Sequence, residues 1–128
     1  MERITTGKIG EKIAIRYLRS KGYVILANNY RLPFAEIDII ATKAGILIFV
    51  EVKTLTGKRS FPASGSFNPE DNLHTRKQLT LRRAASWYAN RVIEEGGSVE
   101  EIRIDLIALV LGEGRVVHLR HYENVLAR

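Results

Sequence analysis

The sequence predicts an α/β domain built on one mixed sheet with helices packed against it. Three observations lead there. Two segments carry apolar residues at helical spacing, several short runs are rich in β-branched residues, and one helix falls between the third and fourth runs, where a parallel crossover requires it. The 128 residues are 45% hydrophobic and 27% charged, with no repeat or linker that divides them, so residues 1–128 read as a single domain. A chain of this length withdraws about two thirds of its unfolded surface from water, enough to fold without disulfides.

From Gly7 to Lys21, the residues Ile9, Ile13, Tyr17 and Leu18 recur at spacings of three and four around Ala14, and Gly22 supplies the stop. Tyr23 to Ala27 (YVILA) reads as a strand that ends in the turn-prone Asn28 and Asn29. Ala35 to Thr42 and Ile46 to Lys53 are two strands so close together that they form an antiparallel hairpin around Gly45. Residues 54–72, with two prolines and several small polar residues, read as a long loop.

A second helix starts near Thr75, where Thr75 and Gln78 fit a capping box. It carries Leu81, Ala84, Ala85, Tyr88 and Val92 on one face and ends at Gly96 and Gly97. Trp87 and Tyr88 on this helix are read as packing residues. Ile102 to Leu111 turns apolar on both faces, as a central strand does, with Arg103 and Asp105 placed to pair. After a glycine turn, Arg115 to Arg120 reads as an edge strand.

Composition removes several chemistries. The absence of cysteine excludes thiol nucleophiles and cysteine-held metal clusters. No glycine-rich phosphate loop precedes a Lys-Ser or Lys-Thr pair, no Ser-His-carboxylate triad is recognisable, and His74, His118 and His121 share no ligand spacing. Charges interrupt every apolar stretch of the first 22 residues and no run approaches the ~18 apolar residues of a membrane span, so a soluble, cytoplasmic protein without membrane contact is expected.

The informative segments are AEIDII and IFVEVK, which set ionisable residues at i and i+2 inside strands otherwise suited to burial. Alternation puts Glu36 with Asp38 and Glu51 with Lys53. If the hairpin turns at Ala44 and Gly45, Asp38 faces Glu51 and Glu36 faces Lys53. Adjacent carboxylates repel, and a divalent cation reverses that cost. Oxygen ligands from Asp38 and Glu51 suit Mg²⁺ or Mn²⁺, and Lys53 is placed to stabilise charge on a phosphate under attack. An ordinary solvated hairpin face with Glu–Lys pairing accounts for the same spacing.

Asp, hairpin and Glu-x-Lys together resemble the PD-(D/E)-x-K signature of restriction-endonuclease-like nucleases, here Asp38 and Glu51-Val52-Lys53. Over almost its whole length the chain also resembles the YraN family of small bacterial proteins, through GKIGEKIAIRYLRSKGY, Asn29, EIDIIA, FVEVKT, TRKQ and RIDLI. The resemblance implies a restriction-endonuclease-like core of helix, three strands, helix and strand, similar to Holliday junction resolvases. It implies a Mg²⁺ or Mn²⁺ site held by Asp38 and Glu51, Lys53 as catalytic lysine, and a supporting role for Glu11; Glu36, beside Asp38 by alternation, is expected to assist. For Glu11 the alternative is an exposed glutamate favoured by the helix dipole. A resolvase-like role also implies a homodimer with two sites.

Charge is distributed unevenly. The formal net charge is +6, and residues 53–91 hold eight bases against two acids, whereas residues 92–128 hold four against seven. Lys58 and Arg59 in the loop, with Arg76, Lys77, Arg82, Arg83 and Arg91 on the second helix, are candidates to hold a nucleic-acid backbone, DNA rather than RNA. The function expected is a Mg-dependent endonuclease acting on phosphodiester bonds, of branched DNA if the resolvase likeness carries over. Its rival is a non-catalytic nucleic-acid-binding module of a DNA-processing assembly.

Overall fold

The structure is a computed structural model and describes residues 5–56, 75–112 and 115–126. The elements are α1 (Thr6–Ser20), β1 (Val24–Leu32), β2 (Ala35–Lys43), β3 (Ile46–Thr56), α2 (Thr75–Glu94), β4 (Glu101–Gly112) and β5 (Arg115–Tyr122). One five-stranded sheet runs in the order β1-β2-β3-β4-β5. Its pairs are antiparallel except β3 with β4, which α2 connects as a parallel crossover. This mixed α/β arrangement is compatible with a restriction-endonuclease-like core, and β4 and β5 take the central and edge places expected of them.

Local chemistry explains the element ends. The Thr5 hydroxyl accepts from the Lys8 amide at 3.2 Å and caps α1. At the other end Gly22 takes φ 90°, its amide donates to the Arg19 carbonyl, and the Tyr23 amide donates to Leu18, which makes a Schellman stop. Ala44 and Gly45, at φ 52° and 81°, form the two-residue turn between β2 and β3.

The first strand departs from expectation. β1 does not end at Asn28 and Asn29 but runs through them to Leu32, and the turn falls at Pro33 and Phe34. Asn29 sits inside the paired strand at φ 51°, flanked by the ladder pairs Asn28↔Ile39 and Tyr30↔Ile37. Asparagine tolerates the left-handed region, so the residue that reads as a turn signal instead kinks a continuing strand. β3 likewise passes Lys53 to reach Thr56, and the rest of the expected loop lies outside the described residues.

Each face of the sheet has its own core. α1 buries Ala14 and Leu18 against Ile39, Ala41, Ile48, Val50, Ile107 and Leu109. α2 buries Leu81, Ala84, Ala85 and Ala89 against Ile37, Ile40, Leu47, Phe49 and Leu106. Burying each large apolar side chain contributes about 1.5–3 kcal/mol. On the α1 side a Cβ added to Gly10 would stand 2.0 Å from Thr54 Oγ1 and 3.2 Å from Leu109 Cδ1, so glycine is what lets the first turns of α1 lie this close to β3 and β4.

The fully buried Asp105 is satisfied on all sides. Arg103 donates to its two oxygens at 2.8 and 2.9 Å, the Asn124 amide donates at 2.9 Å, and His121 Nε2 lies 2.7 Å away. A carboxylate only accepts, so Nε2 carries the proton, and a neutral ring then accepts from the Tyr17 hydroxyl at Nδ1, 3.1 Å away. The expected Arg103–Asp105 pair is therefore present, and His121 is structural. Together they tie β4, β5, the C-terminal turn and α1.

Candidate functional site

The site starts from a break in strand alternation. Ile37 belongs to the α2-side core and Ile39, two residues on, to the α1-side core, so the two-residue period fails at Asp38. β1 breaks beside it: Ala27 and Tyr30, three apart, both pack on the α2 side, with the kinked Asn29 between them. The two strands bend together, as paired irregularities do when a strand re-aims its side chains.

The β2–β3 register is the one the Ala44–Gly45 turn dictates, and its ladder ends at Ile39↔Val50. Beyond that point the Asp38 carboxylate takes over, its Oδ2 accepting from the Val52 amide at 2.8 Å. The alternation break then divides the expected four-residue cluster. Glu36 does not meet Lys53; it joins Glu11 of α1 and Asp38, the three offering carboxylate oxygens within 4.8 Å of one another. The Asn29 amide nitrogen, oriented by its acceptors, lies 2.9 Å from Glu11 Oε1 and 3.2 Å from Glu36 Oε1. Arg31 Nε pairs with Glu36 Oε2 at 3.4 Å on the exposed rim.

Glu51 points to the other side, toward α2, where Lys77 Nζ lies 3.5 Å from its Oε2. Its side chain is 16% exposed, and Oε2 is buried without a hydrogen bond. Burial raises the Glu51 carboxyl from 4.5 to about 8, the Asp38 charge adds to the rise, and Lys77 opposes it. Glu11 is also raised, first by burial and then by Asp38, with the Asn29 amide opposing. Asp38 thus borders both acids, and the expected neighbourhood of Asp38 and Glu51 is present. Lys53 is exposed and has no ion pair among the described residues.

The basic candidates divide as well. Lys58 and Arg59 lie outside the described residues. Lys77 is half-buried against Glu51 and not on the open face of α2. Arg76 and Arg83 are exposed, Arg83 lying over the Phe34 ring at 4.2 Å. Arg82 donates to the Leu126 carbonyl, and Arg91 pairs with Glu95 at 3.2 Å.

Sequence reasoning missed two participants. Asn29 was legible as a residue that tolerates positive φ, but not as a donor to two acids from the neighbouring strand and α1. Lys77 was legible as a basic residue placed for a nucleic-acid backbone, but not as the partner of Glu51, which lies on a strand 26 residues earlier.

The sequence model described as "Uncharacterised protein family UPF0102" matches residues 10–109. The chain belongs to this family. UPF0102 is the YraN family already indicated by the motifs. A UPF0102 protein of Alkaliphilus oremlandii is 41% identical over 120 residues, 92% of this chain and 94% of the relative. One of Fervidobacterium nodosum is 36% identical over 118 residues, covering 92% and 79%. One of Christiangramia forsetii is 43% identical over 104 residues, covering 81% and 79%. The UPF0102 match spans Glu11, Asn29, Glu36, Asp38, Glu51, Lys53 and Lys77. Among the described residues no helix is long and apolar enough to cross a membrane.

Proposed function

We propose that this UPF0102 protein is a Mg²⁺- or Mn²⁺-dependent endonuclease that hydrolyses phosphodiester bonds of nucleic acid, DNA rather than RNA. The observation that carries the reading is the largely buried Glu51 carboxyl set beside that of Asp38, with Lys77 Nζ at 3.5 Å as its counter-charge. Two carboxyls this close raise each other's cost of ionisation, which a bound divalent cation offsets. The donor set is all oxygen and strongly anionic, the kind hard divalent cations select.

In this reading Asp38, which borders both acids, holds the ion with Glu51, while Glu11 and Glu36 cluster with Asp38 on the side away from Glu51 and add negative charge nearby. When bound, such an ion supplies charge neutralisation at the phosphate and a more acidic water. The chain's own residues do the remaining work. Asn29 fixes Glu11 and Glu36 in one arrangement, and the Val52 amide fixes Asp38. Lys53, exposed on the strand step past Glu51, contributes a positive charge toward the phosphate. The restriction-endonuclease-like core and the family likeness to resolvases support the same class, with branched DNA as the first substrate to try and a dimer as the assembly.

A second reading has one observation in its favour. Lys77 already places an ammonium 3.5 Å from Glu51, as a non-catalytic binding module that needs no metal would. Cleavage of linear, nicked, flapped and four-way DNA with Mg²⁺ or Mn²⁺ separates the two. The nuclease reading expects products that disappear in Glu51→Ala and Lys53→Ala while the far-UV spectrum is unchanged. No cleavage of any substrate with either metal, alongside metal-independent DNA binding, establishes the module instead.

A further inference from the structure

We propose that the flank of α2 beyond Lys77 binds unpaired nucleotides by stacking, which deepens the nucleic-acid reading by naming single-stranded segments as what the protein holds next to its carboxylates. Arg83, Trp87 and Arg91 follow one another at spacings of four along α2, are all exposed, and so lie on one side of the helix. Trp87 is 39% exposed, unusual for the largest apolar side chain in a chain with only one tryptophan.

The indole is held in place and not loose. Phe49 in the core meets Tyr88 edge-on at 5.8 Å, Tyr88 meets Tyr30 at 5.3 Å, and Tyr30 meets Trp87 at 6.5 Å. A line of rings thus runs from the α2-side core to the surface and preorganises the last of them. Arg91 lies 5.4 Å from the Trp87 ring centroid and Arg83 lies 4.2 Å from that of Phe34. Arginines lying over aromatic rings beside an exposed indole match a single strand, whose bases stack on rings while its phosphates meet guanidinium groups.

Geometry relates this platform to the carboxylates. Tyr30 directly follows Asn29, the residue that holds Glu11 and Glu36, and Lys77 ties the start of α2 to Glu51. Ten residues of helix separate Lys77 from Trp87, roughly 15 Å at 1.5 Å per residue, a span of a few nucleotides. A cleft of about 420 Å³ beside Trp87 is lined by Asn90, Arg91, Glu94 and Glu95. Arg91 commits its Nε to Glu95 and keeps its terminal donors.

The test uses the full chain in EDTA, so it requires neither metal nor cleavage. Trp87 fluorescence is titrated with a short oligo-dT, with oligo-rU and with a blunt duplex. Saturable quenching by the single strands and not by the duplex is expected, and the dT and rU arms show which sugar is preferred. In anisotropy with labelled strands, Trp87→Ala is expected to weaken single-strand binding about 5- to 100-fold with duplex affinity unchanged. Trp87→Phe, which keeps a ring, recovers most of the loss. Equal quenching by duplex, single-strand binding without quenching, or equal losses for both forms in Trp87→Ala overturns the proposal. Glu51→Ala removes cleavage but leaves quenching intact, so failure of either reading is visible apart from the other.

Discussion

The raised carboxyl of Glu51 makes a quantitative demand on stability. Its folded-state value of about 8 lies above the 4.5 of the ordinary group. Below about pH 4.5 both folded and unfolded chains hold the proton and Glu51 makes no difference. Between about 4.5 and 8 the unfolded chain has released it and the folded chain has not, so stability falls as pH rises. Above about 8 the loss is complete and flat. Each tenfold change in proton affinity is worth about 1.36 kcal/mol, which sets a ceiling of ~5 kcal/mol. The proton is shared with Asp38, and Gln forgoes the Lys77 ion pair, so the expected gain of Glu51→Gln at pH 9 is about 2–4 kcal/mol.

Urea denaturation of wild type and Glu51→Gln from pH 4 to 9 reads this difference directly. The curves should coincide near pH 4, diverge through the neutral range and run parallel above pH 8. Adding Mn²⁺ at pH 8 should restore stability to the wild type and leave the Gln variant unmoved, because a ligand that binds only the folded site stabilises it by mass action. Profiles that stay parallel over the whole range would refute the claim that Glu51 is a desolvated acid beside Asp38.

Two further outcomes follow from the fold. Asp105→Asn removes a buried charge while leaving Arg103 in place, and should cost about 3–5 kcal/mol in urea at neutral pH. Burial alone would raise the Asp105 carboxyl, but hydrogen bonds from His121, Arg103 and the Asn124 amide outweigh it and hold the group low. Its stabilisation is thus full above the ordinary carboxylate range and vanishes as pH falls through the lowered value. A gap between wild type and variant that does not narrow at all as pH falls below the ordinary carboxylate range would contradict this. Gly10→Ala drives a methyl group into Thr54 Oγ1 and should cost about 1–3 kcal/mol while moving Glu11 away from Asp38. An unchanged melting temperature together with unchanged Mn²⁺ affinity would show that α1 does not need that close approach.

Much of this architecture was legible in one dimension. The stop at Gly22, the hairpin at Ala44 and Gly45 with its register, the crossover through α2 and the pairing of Arg103 with Asp105 depend on local backbone preferences, on short turns and on periods of 2 and 3.6. Such rules act over a few residues, so the order of letters is sufficient to apply them. They also bring Asp38 near Glu51, since the two-residue turn sets a register that carries the ladder to Ile39↔Val50, one step short of the pair.

The rest depends on which surfaces meet. Nothing near Asp38 announces that alternation fails there, because the bend is shared with Asn29 on another strand and aims Glu36 at a helix instead of at Lys53. Lys77 turns inward only because α2 lies across Glu51, and Trp87, 39% exposed, meets the sheet through Tyr30 of a distant strand. Burial, and with it the proton affinity of an acid, is a property of the assembled layers: Glu51 is an ordinary glutamate in the chain and becomes a weak acid only when sheet and helices have closed around it.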